Sequence, residues 1–416
     1  MKYILIVFLS FSTIVFSQET MRLDSCIQWA KKRYPLLKQN QFLQANSNIN
    51  QKAINENWFP QLSFLAKANY QSEVVTFPGM TLNFPHDTYL SSFSVNQSIF
   101  DGGQTNQQRK TEKLNASVQI QQNEIEIYRI IEQVNQIFVS VLLSRENLEI
   151  LELYMNNLDN RLTNMKAAHI NGLSTQSNLD ELEAEILKTE QSILEAKDNL
   201  LAFYTNFEMY TGKKVTGNTL FDTTPVGGIT QATVIARPEM KLFSLQENLL
   251  ESKFKLTTTQ ALPKLSLYAD ANYGRPGPNF INQQLRYFAN AGVMMKWNVT
   301  SLYGISREKN RLNVQQQLIN IQREQFLFNL NNTLTAQSAQ INSIKEIIIK
   351  DKQIVDKRHV VTLAAASKLE NGKITVTDYI TQLNAELQAK LNQKIHEIRL
   401  MNAMTMYNTT KGITNF

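Results

Sequence analysis

The sequence has little cysteine, proline or histidine, with one, nine and four residues respectively in a chain of 416. A single cysteine excludes a disulfide framework within the chain and a zinc site made only of thiolates. Four histidines leave little room for a multi-histidine metal centre. No nucleophile–base pair or metal-ligand spacing recurs along the chain. These absences predict that the protein is not an enzyme and holds no cofactor.

Proline is missing from residues 86–224 and 279–416, two long runs of nearly equal length. Because proline breaks helix interiors, these runs favour long helices. The formal charge of +6 is modest and the basic residues form no block, so nucleic acid is not an expected partner. After the N-terminus, no stretch of about 20 consecutive apolar residues predicts a transmembrane helix.

The N-terminus has the features of a secretory signal peptide over residues 1–17. Lys2 precedes an apolar stretch, and Val15 and Ser17 occupy the cleavage positions, so we expect cleavage near Ser17. Cys26 invites a lipoprotein interpretation, but it follows a polar segment, and a buried thiol on the first helix is favoured. An exported chain without a spanning helix crosses a membrane only as a barrel.

Proline and glycine landmarks of the first half recur in the second half at a nearly constant offset. The residue numbers of two proline pairs differ by 203, and those of two glycine pairs differ by 200. The pairs are Pro35 and Pro238, Pro60 and Pro263, Gly172 and Gly372, and Gly212 and Gly412. This regularity indicates a duplication of about 200 residues.

The duplication predicts a first repeat over 18–225 and a second over 226–416, with residues 213–236 as the linker. Each repeat contains a helix, two strands and a helical hairpin. The strands are predicted at 61–70, 90–99, 264–273 and 286–299, and the hairpins at 104–211 and 304–412.

Apolar residues in the proline-free runs follow the alternating steps of three and four residues that are typical of a coiled coil. They include Ile127, Ile131, Val134, Phe138 and Val141 in the first run, and Val314, Leu318 and Ile321 in the second. The longest helices would reach roughly 100 Å, more than the diameter of a globular domain. A dimeric coiled coil explains the helical pattern equally well, but it does not explain the strands.

The predicted strands alternate apolar and polar residues, as at Leu62 and Phe64 in the first. This pattern over about ten residues is typical of barrel strands that cross a bilayer, and a half-buried soluble sheet has the same pattern. Trp58 and Trp297 lie at strand ends. Aromatic residues at a membrane interface and tryptophans in a protein core both occur at such positions. Four strands cannot close a barrel, so a membrane-spanning sheet would need several chains.

Short motifs mark the ends of the predicted elements. They are Leu23-Asp24-Ser25-Cys26-Ile27 followed by Pro35, Trp58-Phe59-Pro60-Gln61-Leu62 at the start of the first strand, and Phe100-Asp101-Gly102-Gly103 after the second. The last is the most specific, and its second-half counterpart, which ends in Gly304, is degenerate. Pro263 starts the third strand as Pro60 starts the first. Together with the turns at Gly172 and Gly372, the motifs resemble those of the TolC-like outer-membrane efflux proteins over essentially the whole mature chain.

The resemblance implies a mainly α fold with a small β part and two tandem repeats in each chain. Three chains would form a homotrimer with a twelve-stranded transmembrane β-barrel, continued by a long α-helical barrel through the periplasm. The implied function is a passive exit duct of a tripartite efflux or type I secretion system in the outer membrane of a Gram-negative bacterium. The implied partners are outer-membrane lipid, a periplasmic adaptor protein that docks at Gly172 and Gly372, and an inner-membrane pump.

The resemblance also implies a constriction at the periplasmic tip, for which Asp378, Thr381 and Lys373 are the candidates. Three symmetry copies of Asp378 would form a cation-attracting ring. An acid in the first turn of a helix is equally explained by the helix dipole. Thr381 stands where many relatives have a second acid, and Ile374, after Lys373, stands where they have a base, so the charge pairing of this gate differs.

Other polar residues near the tip have simpler explanations. Asp180 and Glu181 fit no motif and are expected on a solvated face. His169 and His359 are expected to be surface histidines rather than a threefold metal or pH site. The pair Gly102-Gly103 lacks the lysine and serine of a phosphate loop, so a sharp strand-to-helix turn is expected.

An alternative function is a periplasmic or surface coiled-coil structural protein without channel activity. Its short strands would form a soluble cap, and the protein would be an elongated dimer. The duct is favoured because both repeats carry strands of membrane-spanning length.

Overall fold

The computed structural model describes residues 20–76, 79, 84–222 and 235–413. The predicted signal peptide and the linker residues 223–234 lie outside the described residues. Within them the chain is mainly helical, with seven α-helices and four strands. These elements are α1 Leu23–Arg33, α2 Leu36–Asn55, β1 Gln61–Tyr70, β2 Asp87–Phe100, α3 Gln104–Ile170, α4 Gln176–Thr211, α5 Pro238–Gln260, β3 Lys264–Arg275, β4 Arg286–Lys296, α6 Leu302–Glu370 and α7 Val376–Lys411. No helix of this described part is long and apolar enough to span a bilayer.

Proline and glycine set the helix boundaries. Pro35 separates α1 from α2, and Pro238 is the first residue of α5, where its missing N–H costs no hydrogen bond. Gly212 and Gly412 follow α4 and α7 in the left-handed region, with φ of 72° and 92°. Since glycine adopts this conformation without strain, both helices end there.

The four strands form one antiparallel sheet in the order β1-β2-β3-β4. β1 pairs with β2 from Gln61 opposite Asn96 to Tyr70 opposite Asp87. β2 and β3 come from different halves of the sequence and pair along their length, with a bulge between Ser98 and Phe100. β1 and β4 are therefore the edge strands, and each pairs on one side only among the described residues.

The strand bounds differ from those predicted at four ends, one of which is the end of β2 at Phe100 instead of residue 99. β2 begins three residues earlier, at Asp87, and β3 continues to Arg275, where the two residues form an ion pair. β4 ends at Lys296 instead of residue 299. There the indole of Trp297 donates to the carbonyl of Ala261 at 3.1 Å, and Asn298 opens a short 3₁₀ turn, so the chain leaves the sheet.

The chain divides into two compact units. Unit 1 consists of Met1–Leu37, Glu126–Arg237 and Asn329–Phe416. Unit 2 consists of Lys38–Ile125 and Pro238–Phe328 and contains the whole sheet. Each unit therefore combines stretches from both halves of the sequence.

The largest core lies in unit 1, where α1, α3, α4 and α7 meet. The predicted coiled-coil residues Ile127, Ile131, Val134, Phe138 and Val141 are all buried in the chain. Cys26 belongs to this core and is 0% exposed, as expected for a structural thiol.

Other apolar residues are exposed in the single chain. The predicted coiled-coil residues Val314, Leu318 and Ile321 of unit 2 are exposed, although their spacing predicted packing. On the sheet, Phe64 of β1 and Val293 of β4 are 71% and 63% exposed. These large side chains remain uncovered in the single chain.

Candidate functional site

The two helical hairpins end in turns of the same geometry. Gly172 and Gly372 have φ of 73° and 64°, and a Cβ at either position would meet no atom within 4 Å. In the first turn the amide of Leu173 donates to Ala168 at 2.9 Å, and in the second that of Lys373 donates to Lys368 at 2.8 Å. Glycine is needed here for its backbone conformation rather than for a close approach.

The return helices begin with different caps. At the start of α7, Thr375 and Asp378 form a capping box. The Thr375 hydroxyl accepts from the Asp378 amide at 3.1 Å, and the Asp378 carboxylate accepts from the Thr375 amide at 3.0 Å. At the start of α4, Thr175 accepts from the amide of Asn178 at 3.4 Å. The corresponding position is thus charged in one hairpin and neutral in the other.

Asp378 is exposed and has an identified local role. The Thr375 side chain and amide donate to its Oδ2 atom, and these hydrogen bonds lower the pKa of the carboxyl below its usual value. The carboxylate is therefore ionised at neutral pH. No hydrogen bond of the described residues reaches its Oδ1 atom, which leaves this oxygen open to solvent.

The other two gate candidates are close to Asp378 in the sequence. Thr381 is exposed, and its hydroxyl donates to the carbonyl of Thr377 within α7 at 2.8 Å. The Lys373 side chain is exposed in the turn. The three candidates are close along the chain, but no hydrogen bond of the described residues joins their side chains.

Side chains that the sequence reasoning did not select link the two hairpins near the tip. Arg161 of α3 forms an ion pair with Glu370 of α6 at 2.7 Å. The same guanidinium lies 4.9 Å from the centre of the Tyr379 ring, an arrangement that stabilises the cation. The Arg161 side chain is only 12% exposed, so this pair is better shielded than an ordinary surface ion pair.

Two more links join α4 to α7. The Thr377 hydroxyl donates to Glu181 at 2.5 Å, so Glu181, predicted on a solvated face, connects the hairpins. Glu185 accepts from Asn384 at 3.3 Å and from the Tyr154 hydroxyl at 3.0 Å. Burial and the neighbouring Glu185 carboxylate raise the pKa of Tyr154. No local sequence motif marks these residues, because their partners lie far away in the sequence.

The histidines near the tip have local partners. His169 Nδ1 lies 2.8 Å from the carbonyl of Ser174, and His359 Nδ1 lies 2.9 Å from the buried Glu386 carboxylate. No group of three or more potential metal ligands occurs among the residues that the structure describes.

The turn between β2 and α3 is organised by Asp101. Its Oδ1 accepts from the Gly103 amide at 2.8 Å, and its Oδ2 accepts from the Thr105 amide at 2.7 Å. Burial opposes ionisation, but the hydrogen bonds from Thr105 and Gly103 outweigh it and lower the pKa of Asp101. An ionised carboxylate at the N-terminus of a long helix also complements the helix dipole. Phe100, the residue before this turn, is half exposed.

The two glycines of this turn are not equivalent. Both lie in the left-handed region, with φ of 68° at Gly102 and 81° at Gly103. A Cβ on Gly102 would lie 2.8 Å from Cβ of Leu262 and 3.1 Å from the carbonyl oxygen of Thr259. A Cβ on Gly103 would meet its nearest neighbour at 4.0 Å. Only Gly102 combines backbone conformation with a close approach.

Pro60 and Pro263 each stand directly before a strand, β1 and β3 respectively. Proline has no N–H to donate to a ladder, so it suits the residue before the first pair. Their equivalent positions relative to the strands agree with the constant offset between the two halves of the sequence.

Comparison with known proteins gives a match to one family model. The family model of the outer membrane efflux proteins matches residues 26–213. No curated protein sequence matches the chain.

Three solved structures share the fold over nearly the whole chain. The outer membrane protein VceC of Vibrio cholerae has a TM-score of 0.68 at 11% identity, covering 94% of this chain and 96% of VceC. The outer membrane channel CmeC of Campylobacter jejuni has a TM-score of 0.65 at 12% identity, covering 94% and 86%. The outer membrane channel MtrE of Neisseria gonorrhoeae, in its open state, has a TM-score of 0.64 at 11% identity, covering 94% and 89%.

Proposed function

We propose that the chain, whose residues 26–213 match the family model of the outer membrane efflux proteins, is a member of that family and the passive exit duct of a tripartite efflux or type I secretion system. Three copies form the duct as a homotrimer. The trimer spans the outer membrane with a twelve-stranded barrel and continues into the periplasm as a tunnel of helices.

The open sheet carries this proposal. Its edge strands β1 and β4 have an unpaired side among the described residues, and apolar side chains such as Phe64 and Val293 are exposed. An unpaired edge is not tolerated in lipid, where no water can hydrogen-bond to the backbone. Four strands from each of three chains close a barrel, and lipid then covers the apolar face.

The helical hairpins support the tunnel and a tandem repeat. α3 and α4 have 67 and 36 residues, and α6 and α7 have 69 and 36. Such closely matched lengths are expected when each of two repeats contributes an equivalent helical hairpin to the tunnel. Four helices from each of three chains give twelve. The exposed Val314, Leu318 and Ile321 would then pack against neighbouring helices of the assembly.

The hairpin turns at Gly172 and Gly372 would form the periplasmic tip and dock a periplasmic adaptor, which connects the duct to an inner-membrane pump. The exposed apolar residues Ile170 and Leu173, at 84% and 81%, support a docking role. Asp378, with Lys373 and Thr381 beside it, would set the charge of the constriction. The links at Arg161 and Glu181 would hold the two hairpins of one chain together there.

The protein would be exported by its signal peptide, cleaved near Ser17, and would reside in the outer membrane of a Gram-negative bacterium. The competing structural role, a coiled-coil protein with a soluble cap, requires that another element cover the apolar strand faces. None of the described elements of this chain does so.

Fractionation and conductance measurements test the duct. The full chain should fractionate with outer membranes. After extraction with detergent, light scattering should give the mass of a trimer. The purified protein should give discrete conductance steps in planar bilayers. A urea-soluble, elongated dimer in the periplasmic fraction would contradict the proposal and support the structural role.

A further inference from the structure

The two faces of the sheet differ in polarity. Successive side chains of a strand point to opposite sides, so the register assigns each strand residue to one of two faces. The apolar face includes Leu62, Phe64, Phe93, Val95, Leu267 and Val293. The polar face includes Ser63, Ser94, Ser266, Asn272 and Asn290. In a barrel that spans a membrane, the apolar face contacts lipid and the polar face lines the interior.

Contacts within each face agree with this assignment. The rings of Tyr273 and Tyr287, on the apolar face, have centres 4.6 Å apart. On the polar face, Tyr268 lies over Gly292, where a Cβ would be 2.9 Å from the tyrosine hydroxyl oxygen. Neighbouring strands therefore bring side chains of one face together, as the register requires.

The polar face carries most of the charged residues of the sheet. Among the residues of the four strands, its basic residues are Lys67, Lys264, Arg286 and Lys296, and its acidic residue is Asp270. The remaining two charged strand residues, Asp87 and Arg275, lie on the apolar face and neutralise each other in an ion pair. Four basic residues and one acidic residue give the interior face a net charge of +3 in each chain, and +9 in the proposed trimer.

The excess of positive charge is not compensated locally. No ion pair of the described residues includes a charged side chain of the polar face. The Lys264 ammonium donates to the neutral side-chain oxygen of Gln104 at 2.5 Å. Asp270 is six residues from Lys264. It is four residues from Gly274, which lies opposite Arg286. These spacings correspond to roughly 20 and 13 Å along a strand, so Asp270 neutralises neither basic residue.

Lys264 and Lys296 form a concentrated positive site. They lie directly opposite each other on β3 and β4. The Cβ atoms of residues paired in this way are about 5 Å apart, and like charges at such positions repel. An anion between the two ammonium groups removes this repulsion, so the pair fits a carboxylate, sulfate or phosphate group. Lys264 begins β3 and Lys296 ends β4, so the site lies at the helical end of the sheet.

A second positive row lies nearer the loops that join the strands. The register aligns Lys67, Leu90, Gly274 and Arg286 across the sheet. The two charged residues of this row belong to the edge strands β1 and β4. In the proposed trimer each row becomes a ring of six positive charges, and three copies of Asp270 lie between the rings.

We propose that this interior attracts anions, and that the duct conducts negatively charged solutes in preference to cations. The inference rests on the proposed function and adds the class of cargo to it. A pore lined by rings of one sign concentrates ions of the opposite sign and excludes those of its own sign. Asp378 has the opposite charge, but it belongs to unit 1, whereas both rings belong to unit 2. The test is therefore made inside the barrel.

Cysteine modification measures the electrostatic potential in the barrel. Ser266→Cys places a thiol on the polar face, two residues from Lys264, and Leu267→Cys places one on the apolar face. The full-length protein in phosphatidylcholine vesicles is treated with two methanethiosulfonate reagents that do not cross lipid. One reagent carries a sulfonate and the other a trimethylammonium group, and each rate is divided by the rate with 2-mercaptoethanol. Native Cys26 does not react because it is fully buried.

The modification rates of the two variants should differ in kind. At about 0.01 M salt, Ser266→Cys should react about tenfold faster with the sulfonate reagent than with the trimethylammonium reagent, given two ammonium groups about 10 Å from the thiol. At about 1 M salt, where the Debye length is about 3 Å, this preference should disappear. Leu267→Cys should react with neither reagent, because lipid covers the apolar face.

Neutral substitutions of opposite sign are the matched controls. Added to Ser266→Cys, the pair Lys264→Gln and Lys296→Gln should remove most of the preference, and Asp270→Asn should increase it. In planar bilayers with a salt gradient, the lysine double variant should shift the reversal potential towards cation permeation, and Asp270→Asn towards anion permeation. Either lysine variant alone should give a smaller shift in the same direction, which covers the case in which the double variant does not assemble.

The outcomes separate the two proposals. A conducting trimer in which Ser266→Cys shows no preference, or the same preference with and without the two lysines, overturns the anionic cargo and leaves the duct intact. A protein that is not trimeric and does not conduct, and in which Leu267→Cys reacts as readily as Ser266→Cys, overturns the proposed function itself.

Discussion

Replacing Gly102 by alanine should destabilise the protein much more than the same change at Gly103. Both residues have positive φ, which costs an alanine about 1–2 kcal/mol. At Gly102 the new methyl group would also lie 2.8 Å from Leu262 Cβ and 3.1 Å from the Thr259 carbonyl. Neither neighbour is the end of a flexible side chain, so overpacking adds about 1–3 kcal/mol. The expected loss is about 2–5 kcal/mol for Gly102→Ala and about 1–2 kcal/mol for Gly103→Ala.

The assay is denaturant unfolding of the full chain in detergent, followed by circular dichroism. Gly102→Ala should lower the midpoint more than Gly103→Ala does, without changing the slope. Each variant serves as the control for the other, because both carry the same change at adjacent positions in one turn. Equal midpoints for the two variants would refute the reasoning, because the close approach to Leu262 would then contribute nothing.

Two further predictions concern carboxylates. Asp101→Asn should cost about 1–3 kcal/mol, because the amide can accept from only one of the two backbone N–H groups. Since the folded state lowers the pKa of Asp101, its stabilisation is present above the unfolded value of about 3.9 and lost as pH falls through the folded pKa. Unfolding midpoints between pH 7 and 3 should fall less for the variant than for the unmodified chain, and parallel curves would disprove this. Asp378→Asn should lower cation selectivity in planar bilayers while Asn178→Asp raises it; traces unchanged by Asp378→Asn would remove Asp378 from the constriction.

The order of elements was predictable because its signals are local. Pro60 and Pro263 fix where strands begin, Gly172 and Gly372 fix where hairpins turn, and alternation marks the strands between. The mainly helical fold with a small sheet and the family resemblance are both confirmed.

Contacts between distant parts of the chain were not predictable in this way. Arg161 and Glu370 are 209 residues apart, and neither stands in a recognisable motif. Glu181 fits no motif, so the sequence predicts a solvated face for it; its partner Thr377 lies in the other hairpin, 196 residues away. The heptad spacing of Val314 predicts packing, but period alone does not say whether the partner is in the same chain. β2 starts at Asp87, which forms an ion pair with Arg275 of β3. Local strand propensity gives no information on such a contact.

The division of the chain into units also constrains how it can fold. Unit 2 consists of Lys38–Ile125 and Pro238–Phe328. Unit 1 consists of three stretches, the last of which is Asn329–Phe416. No single cut in the sequence yields either unit whole, so the chain cannot fold domain by domain from its N-terminus as ordinary multidomain proteins do. Until the second half of the chain has been made, β1 and β2 lack β3, and their apolar residues lack the neighbours that β3 provides. A truncation at the C-terminus would therefore damage unit 1 instead of removing a separate domain.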